Sequence, residues 1–221
     1  MSTSNALRSA VSAEDWLPVQ EMLLRGLNHA LSNRLASLSA LTILVEGTGH
    51  LDERMQRALA SDAERLEQLL GLFRMLSGNA EVRREPSRLG DALTDAGALL
   101  EHHPEYRALT LAPVVESGEA EPVLLASSDG LRASVLLLLA VARGTSSASS
   151  LVVSIRGGED GWLHVTAERA GTTAGEIESA PEFAALARFA ACEGGRATCA
   201  PTETGDGRAT LTLPGLSRAR A

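Results

Sequence analysis

Two leucine stripes separated by a glycine-broken segment restrict this chain more than any other feature. Leu24, Leu27, Leu31, Leu35, Leu38, Leu41 and Val45 recur at steps of three and four, the spacing of one face of an α-helix. "EGTGH" (46–50) interrupts the pattern with two glycines, and a second stripe follows through Leu51, Met55, Leu59, Leu66, Leu69, Phe73 and Leu76. Gly78 and Asn79 are the residues expected to stop that helix. Two long helices joined by a short loop predict an antiparallel helical hairpin over residues 13–78. Heptad-like spacing on both helices predicts that two hairpins pair into a four-helix bundle, making the protein a homodimer. The alternative is that the hairpin packs its apolar face on the chain's own second domain.

From Pro86 onward the texture becomes α/β. "SRLGDALTDAGALLEHH" (87–103) reads as a helix with Ser87 or Asp91 near its start, and "RALTLAPVVES" (107–117) and "EPVLLA" (121–126) read as strands. "SDGLRASVLLLLAVARG" (127–144) reads as a buried helix with Ser127 or Ser128 as N-cap and Gly144 as stop. "SLVVSIRGGEDGWLHVTAE" (150–168) is a hairpin around a Gly-Glu-Asp-Gly turn. A polar loop leads to a helix over 181–195, opened by proline and closed by two glycines, and a terminal hairpin over 196–214. The fold class expected is therefore α+β, an N-terminal helical hairpin followed by an α/β sandwich over 86–214.

Composition narrows the functions open to such a chain. Of 221 residues 44% are hydrophobic but only 3% aromatic, so the core must be built from Leu, Val and Ala. A net charge of −8 argues against nucleic acid as a partner, because phosphate neutralisation needs a basic surface. The longest apolar run, Val135 to Ala142, is far too short to span a bilayer, and the N-terminus lacks the basic-then-apolar order of a signal peptide. Cys192 and Cys199 match no metal or redox spacing and read as core residues of a reduced protein. The location expected is cytoplasmic, with no membrane contact.

One residue on the first helix does not belong to its buried face. At about 100° per residue His29 lies about 200° from Leu27, so its imidazole points to solvent, and Asn33 lies one turn further on the same side. "HALSNRL" resembles the H-box of bacterial histidine kinases, His-acidic-Leu-x-Asn-x-Leu, agreeing with it at His29, Leu31, Asn33 and Leu35. "ALARFAACEGGRATCAPTETGDGRATLTLP" is similar to the closing helix, Gly-Gly and final strand pair of that family's Bergerat-type ATP-binding domain. The resemblance covers about 190 residues and includes the order of the two parts. It implies a dimerisation and histidine-phosphotransfer hairpin followed by an ATPase-like domain.

The resemblance fails where ATP would be held. The family's magnesium-binding asparagine falls at about Val141, which offers no oxygen to a metal that takes an octahedral oxygen shell. Its Asp-x-Gly-x-Gly is replaced by "AERAG", with Glu168 and Gly171 in approximate register. "GEIESAPEFAAL" replaces the glycine-rich lid, and Glu176, Glu178 and Glu182 would repel a triphosphate. Ala30 stands where kinases carry the acidic residue beside the histidine. A histidine hairpin with a degenerate ATPase-like domain resembles the dimeric histidine phosphotransferases of ChpT type. That resemblance implies a phosphotransferase, moving a phosphoryl group between receiver-domain aspartates through His29 without ATP hydrolysis. Its partners would be the receiver domains of response regulators or hybrid kinases. It implies no cofactor and no metal of the chain's own, the Mg²⁺ belonging to the receiver. Asn33, with Arg25 and Arg34, would orient or neutralise the partner. Two other functions remain open on sequence: a sensor histidine kinase with divergent ATP-binding boxes, and a non-catalytic adaptor or inhibitor that binds a kinase or response regulator.

Overall fold

A computed structural model describes residues 11–48, 52–77, 84–117, 120–126, 128–142, 149–158 and 160–219. Helix α1 (Ala13–Thr48) starts at Ser12, whose Oγ accepts the Asp15 N–H at 3.1 Å. Helix α2 (Glu53–Ser77) starts at Asp52, which accepts the Met55 N–H at 2.8 Å. Gly47 does not end α1, which runs through it to Thr48. The rest of the expected loop, Gly49 and His50, the first residue of the second stripe, Leu51, and the expected stop at Gly78 and Asn79 lie outside the described residues. Two polar contacts set the antiparallel register. Gln20 Nε2 donates to the Leu76 carbonyl at 2.7 Å, and two heptads further along Arg34 Nη1 donates to Asp62 at 2.9 Å.

The two ends of the hairpin are buried very differently. At its base Trp16, Val19, Leu23 and Leu27 of α1 and Leu69, Leu72 and Leu76 of α2 join one continuous core with the sandwich. Packing on the second part of the chain, the alternative to pairing, therefore accounts for this end. Between Asn28 and Gln68, Asp62 is the only buried residue among those described. Leu31, Leu38, Leu59 and Leu66 are half-buried, and Leu35 and Ile43 are 57% and 69% exposed. The expected stripe is thus covered at one end only. Gly26 marks the junction: a Cβ there would lie 3.0 Å from the His103 Cα, so the chain crosses α1 at van der Waals contact.

The remainder is a mixed sheet with helices on one face. In chain order come β1 (Arg84–Ser87), α3 (Leu89–Glu101), β2 (Leu109–Leu111), β3 (Val115–Ser117), β4 (Val123–Ala126) and α4 (Asp129–Ala142). They are followed by β5 (Ser149–Gly157), β6 (Trp162–Arg169), α5 (Ala174–Ser179), α6 (Pro181–Cys192), β7 (Arg196–Pro201), β8 (Gly207–Pro214) and α7 (Leu216–Ala219). The main sheet runs β2-β5-β6-β8-β7, with β3 also on β5; β2 and β3 are parallel to β5 and the other pairs antiparallel. Strands β1 and β4 form a separate antiparallel pair. Leu163, Val165 and Ala167 of β6 alternate toward the helical layer, and α4, apolar on nearly every side, is buried along almost its whole length.

Both expected hairpins are present, and the differences are local. Ser87 belongs to β1 and Arg88 takes the N-cap of α3 without a side-chain bond, so neither Ser87 nor Asp91 caps that helix. Ser128 Oγ is buried without a hydrogen bond and does not cap α4; Ser127 and Gly144 lie outside the described residues. The polar loop before α6 contains α5, a single short helix opened by a capping box. Cys192 is exposed at the end of α6, and only Cys199 packs on the core. Neither cysteine is in a disulfide.

The two glycines after α6 have separate reasons. Gly194 takes φ +73°, the left-handed conformation that ends a helix. Gly195 must touch the sheet, since a Cβ there would lie 2.0 Å from the Thr212 carbonyl oxygen. That oxygen is backbone and cannot step aside. Gly195→Ala is expected to lower stability by about 3 kcal/mol, the upper range for overpacking, read from urea unfolding midpoints at unchanged slope.

Candidate functional site

His29 is exposed on α1, on the side away from the seam with α2. Asn33 Nδ2 stands 3.3 Å from His29 Nε2. With the amide donating, the ring proton sits on Nδ1 and Nε2 keeps its lone pair. That is the protonation state in which an imidazole is a nucleophile. Arg25, one turn earlier, shares this face; it is exposed and pairs with Glu21 at 3.4 Å, a solvated contact worth little by itself. Ala30, beside the histidine, is half-buried and packs on the core.

Arg34 is turned to a different side. Its Nη1 donates to Asp62 at 2.9 Å, and Ser37 Oγ donates to the other carboxylate oxygen at 2.7 Å. The Ser37 hydroxyl, followed by Arg34, holds the Asp62 carboxyl below the usual carboxylate range. The structure therefore gathers His29, Asn33 and Arg25 on one open face and places Arg34 in the hairpin seam.

His102 and His103 close the end of α3 against α1 at Gly26. Their position at a helix C-terminus suggests cations stabilised by the dipole. Burial overrides that, pushing both imidazoles below the ordinary histidine value. His103 Nδ1 accepts the Glu105 N–H at 3.3 Å. His164 lies on the outer face of the sheet, with Nδ1 3.1 Å from Thr212 Oγ1. His50 is outside the described residues. Among the described residues no three His, Cys, Asp or Glu side chains cluster as metal ligands would, and no helix is long and apolar enough to cross a membrane.

A second unusual group is buried where α4 ends beside β6. Arg169 follows Leu163, Val165 and Ala167 in pointing inward, and it is 6% exposed. Its Nε donates to Thr172 Oγ1 at 2.7 Å and its Nη1 to the Ala142 carbonyl at 3.5 Å, while Thr172 Oγ1 donates to the Val141 carbonyl at 3.3 Å. A cation and a hydroxyl thus satisfy the last carbonyls of α4, at the negative end of its dipole. Burial lowers the Arg169 pKa, with Glu176 acting against it. The following segment is pinned down: Gly171 N–H donates to Asp206 at 2.8 Å, Thr173 and Glu176 close the capping box, and Ile177 is wholly buried. Gly207 lies so close beneath that a Cβ would come within 2.6 Å of the Thr173 carbonyl carbon.

The sequence matches no family profile and no curated protein. Among solved structures, the catalytic domain of the histidine kinase ThkA aligns with a TM-score of 0.51 at 10% identity, over 60% of this chain and 97% of that one. The fold is histidine-kinase-like. Acinetobacter baumannii histidine kinase AdeS also aligns, over 87% of this chain and 97% of its own, at 16% identity and a TM-score of 0.49. A histidine-kinase-like fold raises the question of a magnesium nucleotide, and the residues here do not fit one. Val141, at the expected metal position, is completely buried and carries no side-chain oxygen. The Arg169–Thr172 bridge joins the end of α4 to the segment after β6, and α5 packs on β8.

Asp62 and Arg169 were not among the residues singled out from sequence. Each had a signal. Asp62 breaks the seven-residue series Met55, Asp62, Leu69, Leu76, and Arg169 has the inward parity of an alternating strand. The contact of Gly26 with His102 and His103 had none, because it joins segments far apart in the chain.

Proposed function

We propose that this protein is a phosphohistidine relay of the ChpT-type kind, a cytoplasmic homodimer that moves phosphoryl groups between receiver-domain aspartates without using ATP. The observation that supports the reading is the buried Arg169–Thr172 bridge on the carbonyls of Val141 and Ala142, which ties together the two segments that the resemblance aligns with the ATP-binding boxes. On this reading no nucleotide is held beside α4, and the exposed His29, its ring oriented by Asn33, takes its phosphoryl group from a donor outside the chain.

In the forward step His29 Nε2 attacks phosphorus. The N–P bond forms as the bond to the aspartyl oxygen breaks, and the carboxylate leaves with the electron pair. The Asn33 amide then donates to a phosphoryl oxygen, and Arg25 faces the partner's negative charge. A magnesium ion held by the receiver's own acidic residues would supply charge neutralisation at the phosphoryl oxygens. The reverse step delivers the group to a second receiver. Most of the catalysis is positioning plus charge stabilisation. The half-buried flank of the hairpin, Leu31 and Leu38 with Leu59 and Leu66, supports pairing with a second copy as a four-helix bundle.

The test is transfer from purified, phosphorylated receiver domains to the full chain without ATP, set beside incubation with γ-labelled ATP. Acid-labile label is expected from receivers and none from ATP. Label from ATP would replace this reading by a kinase with divergent boxes. Tight receiver binding with no transfer would replace it by an adaptor.

A further inference from the structure

The distal half of the hairpin has one buried residue among those described, and it is a carboxylate. Asp62 stands in the series Met55, Asp62, Leu69, Leu76, and Arg34 stands opposite it in the series Gln20, Leu27, Arg34, Leu41. Leucine at both places would complete the seam. Instead Asp62 accepts from Arg34 at 2.9 Å and from Ser37 at 2.7 Å. The Asp62 side chain is 8% exposed but that of Arg34 is 38% exposed, so part of the guanidinium stays in contact with solvent with donors remaining. Half-buried leucines flank the layer on both helices: Leu31 and Leu38 lie within about 60° of Arg34 around α1, and Leu59 and Leu66 within about 60° of Asp62 around α2.

We propose that the Arg34–Asp62–Ser37 layer makes the hairpin selective for a second copy of itself at one alignment. This rests on the pairing stated under the proposed function. A two-fold axis parallel to the helices brings both copies' polar layers to the same height, where each guanidinium meets charges of both signs. Sliding one copy by a heptad sets the layer against Leu27 and Leu69 or against Leu41 and Met55. The pair inside each copy persists, but the exposed part of each guanidinium then loses water without gaining an acceptor, which is unfavourable. A foreign hairpin with an apolar layer at this height is rejected for the same reason. A single polar layer in an apolar seam gives up some stability and fixes register and partner.

The experiment uses the full chain with Cys192 and Cys199 replaced by serine and a spin label on Ser39→Cys, an exposed site on α1. Light scattering gives the mass, and pulsed dipolar spectroscopy gives the distance between copies. The parent chain is expected to be a dimer with one narrow distance. R34L/D62L is expected to remain dimeric with a broad or multiple distribution, and the charge-swapped R34D/D62R to return to one narrow distance. A narrow, unchanged distance in R34L/D62L overturns the proposal while leaving pairing intact. Should R34L/D62L fail to fold, a folded R34D/D62R with scattered distances overturns it instead. A monomeric parent chain removes both pairing and this inference, whereas receiver-to-His29 transfer is scored separately.

Discussion

His29→Gln is expected to reduce phosphoryl uptake from a phosphorylated receiver to background while leaving fold and receiver binding unchanged. Glutamine keeps a polar tip of similar reach but has no nucleophilic nitrogen, so the N–P bond cannot form. His29 is exposed and its side-chain contact is with Asn33, so the substitution leaves no buried group unsatisfied. Asn33→Ala provides the graded companion. It removes one hydrogen bond that orients the ring, and transfer should slow about tenfold, the equivalent of about 1.4 kcal/mol, without being lost. Rapid-quench measurement of phosphohistidine, normalised to the circular dichroism of each variant, distinguishes the two. Full uptake by His29→Gln would end the relay reading.

Arg169→Ala is expected to lower the free energy of unfolding by about 2–4 kcal/mol and to confer no ATP binding. The substitution leaves the Ala142 carbonyl and the Thr172 hydroxyl without the guanidinium, and it opens a cavity at the junction of α4 and β6. The loss is tempered because a desolvated cation is removed as well, which favours the variant. Arg169→Met separates the effects: it fills much of the volume without donors and should recover part of the stability. Chemical denaturation gives the energies, and titration calorimetry with Mg·ATP tests the second half of the statement. No binding is expected, because Val141 still supplies no metal ligand. Recovery of tight Mg·ATP binding in Arg169→Ala would show the guanidinium to be the only obstacle.

Much of the architecture is legible because its signals are local. Leucine at steps of three and four marks α1 and α2, turn residues bracket β5–β6 and β7–β8, and Pro181 with Gly194 and Gly195 delimits α6. Where expectation and structure part, the deciding contact is distant. β1 exists because β4 pairs with it across some 40 residues, and nothing near Arg84 announces a strand. α5 forms inside a polar stretch because Ile177 has a core to enter and Glu176 closes a cap. β2 and β3 are short and join the sheet only by lying parallel to β5.

The candidate site divides in the same way. That His29 faces solvent with Asn33 a turn away follows from helical rotation and nothing else. The four residues singled out on α1 share one helix, yet Arg34 is drawn into the seam because Asp62, 28 residues later, needs a cation once buried. By itself the amino-acid order determined two amphipathic helices, an alternating sheet and an outward imidazole, since periodicity needs no partner to be expressed. Only the tertiary structure decided which half of the hairpin is covered, which arginine is held, and that a guanidinium closes the end of α4. Those outcomes depend on burial, and burial is a property of what the chain brings together rather than of any segment alone.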